Sequence, residues 1–262
     1  MNPHGRPRAR RPRRLLFACL AAVAIVCAVA VWRAWATPAE PVAPVARAES
    51  AAVAPAALAL PDHPTVLIFG DSWTYGSAAT VPTLGYAYVI GERLGWNTVV
   101  DGVRGSGYLK PGMDGPAYGE RIAALDPGLD PDLVIVEGSI NDRTLYPTGY
   151  ADAVNAAWDQ LAALYPHARI VILGPAPQVL PVQKATAAID ADLSRLAAAR
   201  GWWYVSPIAE DWITPDDYPS VIDTSDVGRN HPSTAGHAYL AQRLADDIER
   251  MAQPSAVTAD AG

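Results

Sequence analysis

The chain has 262 residues, half of them apolar and 18% charged, proportions that suit a globular protein and argue against a collagen-like, coiled-coil or largely disordered one. Its net charge of −7 conceals an asymmetry: residues 1–36 carry seven Arg and no acid, leaving residues 37–262 with 13 basic against 27 acidic side chains, a balance that disfavours nucleic acid as a partner. The only two cysteines, Cys19 and Cys27, fall in an apolar N-terminal run, so disulfides, thiolate catalysis and Cys-based zinc sites are excluded from the rest of the chain.

Six arginines between Arg6 and Arg14 precede an uncharged run from Leu15 to Val31, and Trp32, Arg33 and Trp35 follow it. As a helix the run spans about 25 Å, slightly less than a hydrocarbon core of about 30 Å. Residues 1–36 therefore read as a single membrane anchor, its basic side cytoplasmic and its tryptophans at the interface. Alternatively they form a signal peptide cut near Ala34-Trp35-Ala36, where small residues suit a peptidase. Both readings place the remainder of the chain outside the cytoplasm, membrane-attached or secreted.

Residues 37–61 contain ten Ala and five Pro and predict a semi-extended linker. Residues 253–262 are small and polar and predict a frayed tail. The domain is then 62–252, of ordinary single-domain size.

Within it, Val66–Phe69, Thr98–Val100, Leu133–Val136, Ile170–Leu173 and Trp202–Val205 are short, mostly apolar runs bounded by Gly, Pro, Asp or Asn, the pattern of strands buried on both faces. Helical stripes alternate with them: Val154, Trp158, Leu161 and Tyr165; Ile189, Leu193 and Leu196; and Leu240, Leu244, Ile248 and Met251. Strict alternation implies right-handed crossovers and a five-stranded parallel sheet between two helical layers, an α/β three-layer α/β/α sandwich. In such sheets ligands bind beyond the carboxyl ends of the strands.

Three strand ends and one late loop carry chemistry. Gly70-Asp71-Ser72 follows the first strand, so Ser72 is placed as a nucleophile, or more plainly as a helix N-cap. After the second strand, Gly105 in Gly102–Gly107 brings backbone N–H groups within reach of a ligand, or simply makes a turn. Asn141 follows the third strand and offers an amide donor, or an Asx-turn. His231 precedes the last helix as a general base, or a solvated loop histidine. Each signal is weak alone, but a parallel sheet gathers all four at one edge. There they supply a hydroxyl nucleophile, an imidazole and oxyanion donors, the parts of an acyl-transfer site.

On Phe69-Gly70-Asp71-Ser72, Gly105, Asn141-Asp142 and His231-Pro232, in that order, residues 64–250 resemble the SGNH hydrolases, or GDSL-type esterases and lipases. The resemblance implies a flavodoxin-like fold and a serine esterase in which Ser72 attacks the acyl carbon and His231 carries its proton. It also implies an oxyanion hole made by the Ser72 and Gly105 N–H groups with the Asn141 amide. Two departures stand out. Two residues rather than one separate Gly138 from Asn141, and the family's Asp-x-x-His has Gly228 in the place of its acid. Asp226 or Asp223 would then orient His231, or the site is a Ser–His dyad whose ring is held by a backbone carbonyl.

His237 lies on the predicted last helix six positions after His231 and reads as a packing or capping residue. No metal-binding pair, dinucleotide fingerprint or P-loop lysine is present, so no metal and no cofactor are expected. Residues 206–230 hold Trp212, Tyr218 and six acids, Glu210, Asp211, Asp216, Asp217, Asp223 and Asp226. They predict an acidic wall or lid over the site, unfavourable to strongly anionic substrates, and no large apolar insertion suggests a long-chain lipase tunnel. The expected activity is an extracytoplasmic esterase for small or medium acyl groups. The alternatives are an acyltransferase on envelope carbohydrate or lipid, and a weakened surface binding module.

Overall fold

The computed structural model describes residues 55–253; the predicted anchor or signal segment, most of the linker and nearly all of the tail lie outside them. Among the described residues no helix is long and apolar enough to cross a membrane. Strand β1 (Thr65–Gly70) runs into a four-residue helix α1 (Ser72–Tyr75) and then α2 (Tyr86–Leu94). The chain continues through β2 (Asn97–Gly102), α3 (Tyr118–Ala123), β3 (Leu133–Glu137), α4 (Tyr150–Leu164), β4 (Arg169–Leu173), α5 (Lys184–Ala199) and β5 (Trp203–Val205). It closes with α6 (Tyr218–Val221), a two-stranded antiparallel ribbon of β6 (Ile222–Asp223) and β7 (His231–Pro232), and α7 (Thr234–Ala252).

The main sheet has five parallel strands in the order β2-β1-β3-β4-β5. This is the flavodoxin-type winding, in which chain direction across the sheet reverses beside β1 and opens a crevice at the carboxyl ends of β1 and β3. Side-chain alternation divides the core in two. Val66, Ile68, Leu133, Ile135, Val171 and Leu173 pack with Ile90 of α2 and with Leu240, Leu244 and Ile248 of α7. Leu67, Phe69, Val134, Val136, Ile170 and Ile172 pack on the other face with Trp158 and Leu161 of α4 and Ile189 and Leu193 of α5. Every residue of β3 is buried, and burying an Ile, Leu or Val side chain contributes about 1.5–3 kcal/mol over leaving it exposed.

Three features differ from the expectation. β2 is an edge strand, not one covered on both faces: Val100 packs on the α2 side, while Val99 is 38% exposed. At the start of the domain, within the segment read as linker, Leu58 is buried and its N–H donates to the Met251 carbonyl at 2.7 Å, so packing begins before Asp62. The long connection 206–230 is also less of a lid than its composition suggests, because Trp212 and Ile213 belong to the core and Tyr239 of α7 donates to the Trp212 carbonyl at 2.7 Å.

Candidate active site

The end of β1 is capped by Asp71, whose carboxylate accepts the Trp73 N–H at 2.8 Å. Asp71, not Ser72, is thus the N-cap of α1, which leaves the Ser72 hydroxyl free for another partner. That partner is His231: Nε2 lies 2.9 Å from Ser72 Oγ across 159 positions of sequence. The other ring nitrogen, Nδ1, lies 2.9 Å from the carbonyl of Gly228. A carbonyl only accepts, so Nδ1 carries the proton and Nε2 presents the lone pair to the serine hydroxyl. Burial of the ring holds the imidazole below its usual 6.5, favouring the neutral form a base requires.

The backbone carbonyl of Gly228 therefore occupies the position expected of a carboxylate. Asp226, the acid named from sequence, is not among the hydrogen-bond partners of His231; it lies exposed on the wall of the cleft. Asp223 is paired in register with His231 across the β6–β7 ribbon, but its carboxylate accepts the Ser225 N–H at 2.9 Å. A Cβ at position 228 would fall 2.2 Å from Asp223 Cγ, so Asp223 fills the space that a side chain at 228 would need.

Gly105 has φ +76, a left-handed conformation natural to glycine, and among the described residues neither its N–H nor that of Ser72 donates to a protein acceptor. Asn141 lies in the 3₁₀ turn after β3. Its amide Nδ2 donates to Asp71 Oδ2 at 2.7 Å and to the Ser106 carbonyl at 3.0 Å. Ser72, Gly105, Asn141 and His231 all line one open cleft of about 720 Å³. All four residues predicted from sequence to surround the reacting carbon are brought together; Asp226 shares the cleft without touching the histidine.

Four buried polar residues that sequence reasoning did not single out as site residues tie the loops to one another. Asp142 accepts the N–H groups of Tyr108, Leu109 and Lys110 at 2.8, 3.1 and 2.9 Å and the Ser139 hydroxyl, fastening the loop after β2 to the turn after β3. Glu137, at the end of an otherwise apolar strand, accepts the Asp71 N–H at 3.1 Å and the Thr74 hydroxyl at 2.9 Å. Arg121 of α3 donates to the Gly70 carbonyl, Ser106 Oγ and Asp101 at 2.7–2.9 Å and stacks 4.0 Å above the Phe69 ring. Asp71 itself is fully buried, and burial pushes its carboxyl up to about 6; burial drives Glu137 well above its usual value as well. The sequence signals available were a carboxylate closing an apolar strand and the Asp71 and Asp142 of the motifs; Arg121 gave none.

His237 is the packing residue expected. It is fully buried, accepts the Tyr86 N–H at 3.2 Å through Nδ1 and donates from Nε2 to the Ser77 carbonyl at 3.0 Å, holding the loop at the rim of the cleft against α7. The predicted acidic wall is corrected: of the six acids in 206–230 only Asp226 lines the cleft, beside Arg104, Arg143 and Arg229. Glu210 instead pairs with Arg250 at 3.2 Å and Asp217 bonds Thr214 at 2.7 Å, both in service of packing. Of the aromatics beside the nucleophile, Tyr75 faces the cleft and Trp73 is buried in the core.

A doubly wound α/β domain that sets a serine hydroxyl against an imidazole at its carboxyl edge holds the parts that acyl transfer requires. Comparison with known proteins narrows the class. Residues 68–239 match the model of the GDSL-like Lipase/Acylhydrolase family, and the chain is 30% identical over 192 residues to the GDSL lipase Rv0518 of Mycobacterium tuberculosis, covering 69% of this chain and 79% of that protein. Among solved structures it is similar to the native aryl esterase of M. smegmatis (TM-score 0.55, 19% identity, 72% and 99% of the two chains). It is likewise similar to Est24, a carbohydrate acetylesterase from Sinorhizobium meliloti (TM-score 0.55, 17% identity, 72% and 99%). The chain belongs to the GDSL-like lipase/acylhydrolase family and is a hydrolase of ester bonds.

Proposed function

We propose that the protein is an extracytoplasmic serine esterase that removes small or medium acyl groups through a Ser–His dyad. The observation that carries this is the 2.9 Å contact between Ser72 Oγ and His231 Nε2, with Nδ1 held by a carbonyl. His231 accepts the hydroxyl proton as Ser72 Oγ bonds to the acyl carbon, and the carbonyl π pair moves onto oxygen. The tetrahedral intermediate collapses as the C–O bond to the alcohol breaks and the imidazolium returns the proton to the leaving oxygen. Water, deprotonated by the same imidazole, then attacks the acyl-enzyme and releases the acid with regeneration of Ser72.

The oxyanion is received by the free N–H groups of Ser72 and Gly105. Asn141 adds a donor by releasing its longer bond, that to the Ser106 carbonyl, while Asp71 keeps the amide in place through the shorter one. Such donors are effective because they are aimed before the charge develops. The open cleft, the absence of a long apolar insertion in the sequence and the aryl and carbohydrate acetyl esterase names of two fold neighbours all favour short acyl groups. The extracytoplasmic location rests on the arginine-led apolar run of residues 6–31. In the test of the chemistry, wild-type protein hydrolyses 4-nitrophenyl acetate and is labelled by a fluorophosphonate, and Ser72→Ala does neither. Undiminished labelling of the variant would remove Ser72 from the mechanism.

A further inference from the structure

The charges around the cleft run against those of the molecule. Residues 55–253 hold 24 acidic and 12 basic side chains, so an average patch of this surface presents acids over bases. The cleft reverses the ratio, with three arginines and one acid, Asp226, on its walls. Arg104 is neutralised by Asp114 at 2.7 Å and lies over the Tyr75 ring. Arg143 and Arg229 make no salt bridge among the described residues.

These two guanidinium groups are built into the loops that carry the chemistry. Arg143 sits two residues after Asn141 in the same 3₁₀ turn, and its Nη1 donates to the Ile140 carbonyl at 2.9 Å, which pins the group while its other N–H donors have no acceptor among the described residues. Arg229 directly follows Gly228, whose carbonyl orients His231, and both Arg229 and Asn230 adopt left-handed backbone angles, φ 51 and 59. Two consecutive non-glycine residues in that region are costly and are held there by the turn that aims the Gly228 carbonyl. The cleft is thus lined by one arginine on the oxyanion side and one on the histidine side. The buried carboxylates behind the serine, Asp71, Glu137 and Asp142, are hydrogen-bonded inside the wall, with Arg121 among them.

We infer that the cleft selects esters carrying an anionic group, a carboxylate or phosphate, close to the scissile bond, and that Arg143 and Arg229 are its specificity-determining residues. The inference rests on the esterase reading and names its substrate class. Guanidinium groups suit such anions because their N–H donors form a planar fork matched to two oxygens.

Two matched pairs of esters test it with the full protein: 4-nitrophenyl hemisuccinate against 4-nitrophenyl acetate places the charge on the acyl side, and 4-acetoxybenzoate against phenyl acetate places it on the alcohol side. The quantity read is the anionic-to-neutral ratio of kcat/KM, in which intrinsic ester reactivity cancels between variants. In at least one pair the ratio should fall about tenfold in Arg143→Gln/Arg229→Gln, the order expected for charge-assisted hydrogen bonds. It should be only partly restored in Arg143→Lys/Arg229→Lys, which keeps the charge but loses the planar fork, and in wild type it should shrink as salt rises. The pair that responds identifies the side bearing the anion. Ratios equal in wild type and the double Gln variant for both pairs would overturn the inference while leaving the esterase intact. Failure of wild type to turn over any of the four esters, with no fluorophosphonate labelling, would sink the esterase reading and the inference together.

Discussion

The replacement of an orienting carboxylate by the Gly228 carbonyl makes a prediction that separates two enzymes of the same family. If the ring depended on Asp226, converting it to Asn would cost about 10⁴ in rate, as loss of the acid does in a serine triad. In this structure Asp226 is exposed and makes no hydrogen bond to His231, so Asp226→Asn should alter kcat/KM on 4-nitrophenyl acetate by less than about threefold, the size of a screened surface charge effect. Gly228→Ala should be the damaging change. Its new Cβ would sit 2.2 Å from Asp223 Cγ and 2.5 Å from the Asp223 carbonyl oxygen, one of these being rigid backbone, so residue 228 must retreat and take its carbonyl away from Nδ1. A hydrogen bond to a group that becomes charged in the transition state contributes about 1.5–3 kcal/mol, which converts to about 10–150-fold in rate. The loss should appear in kcat and in the rate of fluorophosphonate labelling more than in KM, since the bond strengthens as the imidazolium forms. A drop of a hundredfold or more in Asp226→Asn, together with near-normal activity in Gly228→Ala, would refute the dyad.

Two further outcomes are expected from the buried titrating groups. Activity should rise with pH to a plateau reached near neutrality, with the midpoint of kcat/KM below 6.5: burial holds His231 below that value, and Asp71, pushed up to about 6, must lose its proton to accept both of its N–H partners fully. A midpoint at or above 7 would show that a carboxylate supports the ring after all. His237 is depressed by burial from 6.5 to about 4, so its neutral form contributes stability that is fully present above 6.5 and is lost as pH falls toward 4, about 3 kcal/mol at about 1.4 kcal/mol per unit. The raised carboxyl of Asp71 acts with the opposite sign, so the test is the difference in urea unfolding free energy between wild type and His237→Gln. That difference should shrink by this order between pH 7 and pH 4, and a difference independent of pH would exclude His237 as its source.

The architecture was legible because a parallel sheet between two helical layers leaves its central strands no polar face. Leu133–Val136 and Ile170–Leu173 read as unbroken apolar runs for that reason, and β3 and β4 lie where they were expected. The same reasoning overreached at Thr98–Val100, since a short Thr-Val-Val run looks alike in a central and an edge strand and only the strand order exposes Val99. α2 and α3 left no readable stripe: α3 is six residues long, less than two helical turns, and the apolar residues of α2 are interrupted by Gly91, Glu92 and Arg93. Both form because tertiary packing supplies what their own periodicity does not.

At the site, legibility depended on whether a role is played by a side chain. The Ser72 hydroxyl, the Asn141 amide and the His231 ring each leave a letter in the sequence. The partner of Nδ1 does not, because every residue has a carbonyl and only the fold decides which one is aimed. Gly228 reads as a missing acid, and the acids nearest to it in sequence, Asp223 and Asp226, invite substitution into the vacant role. The ribbon geometry explains why neither takes it. Asp223 stands opposite His231 in register, yet its side chain turns to the Ser225 N–H and packs where a Cβ of residue 228 would be. The carboxylate at 223 and the glycine at 228 therefore require each other. Restoring an acid at 228 with Asp223 in place would displace the loop that positions the histidine, so Gly228→Asp alone has no route to a triad without vacating the space that Asp223 fills.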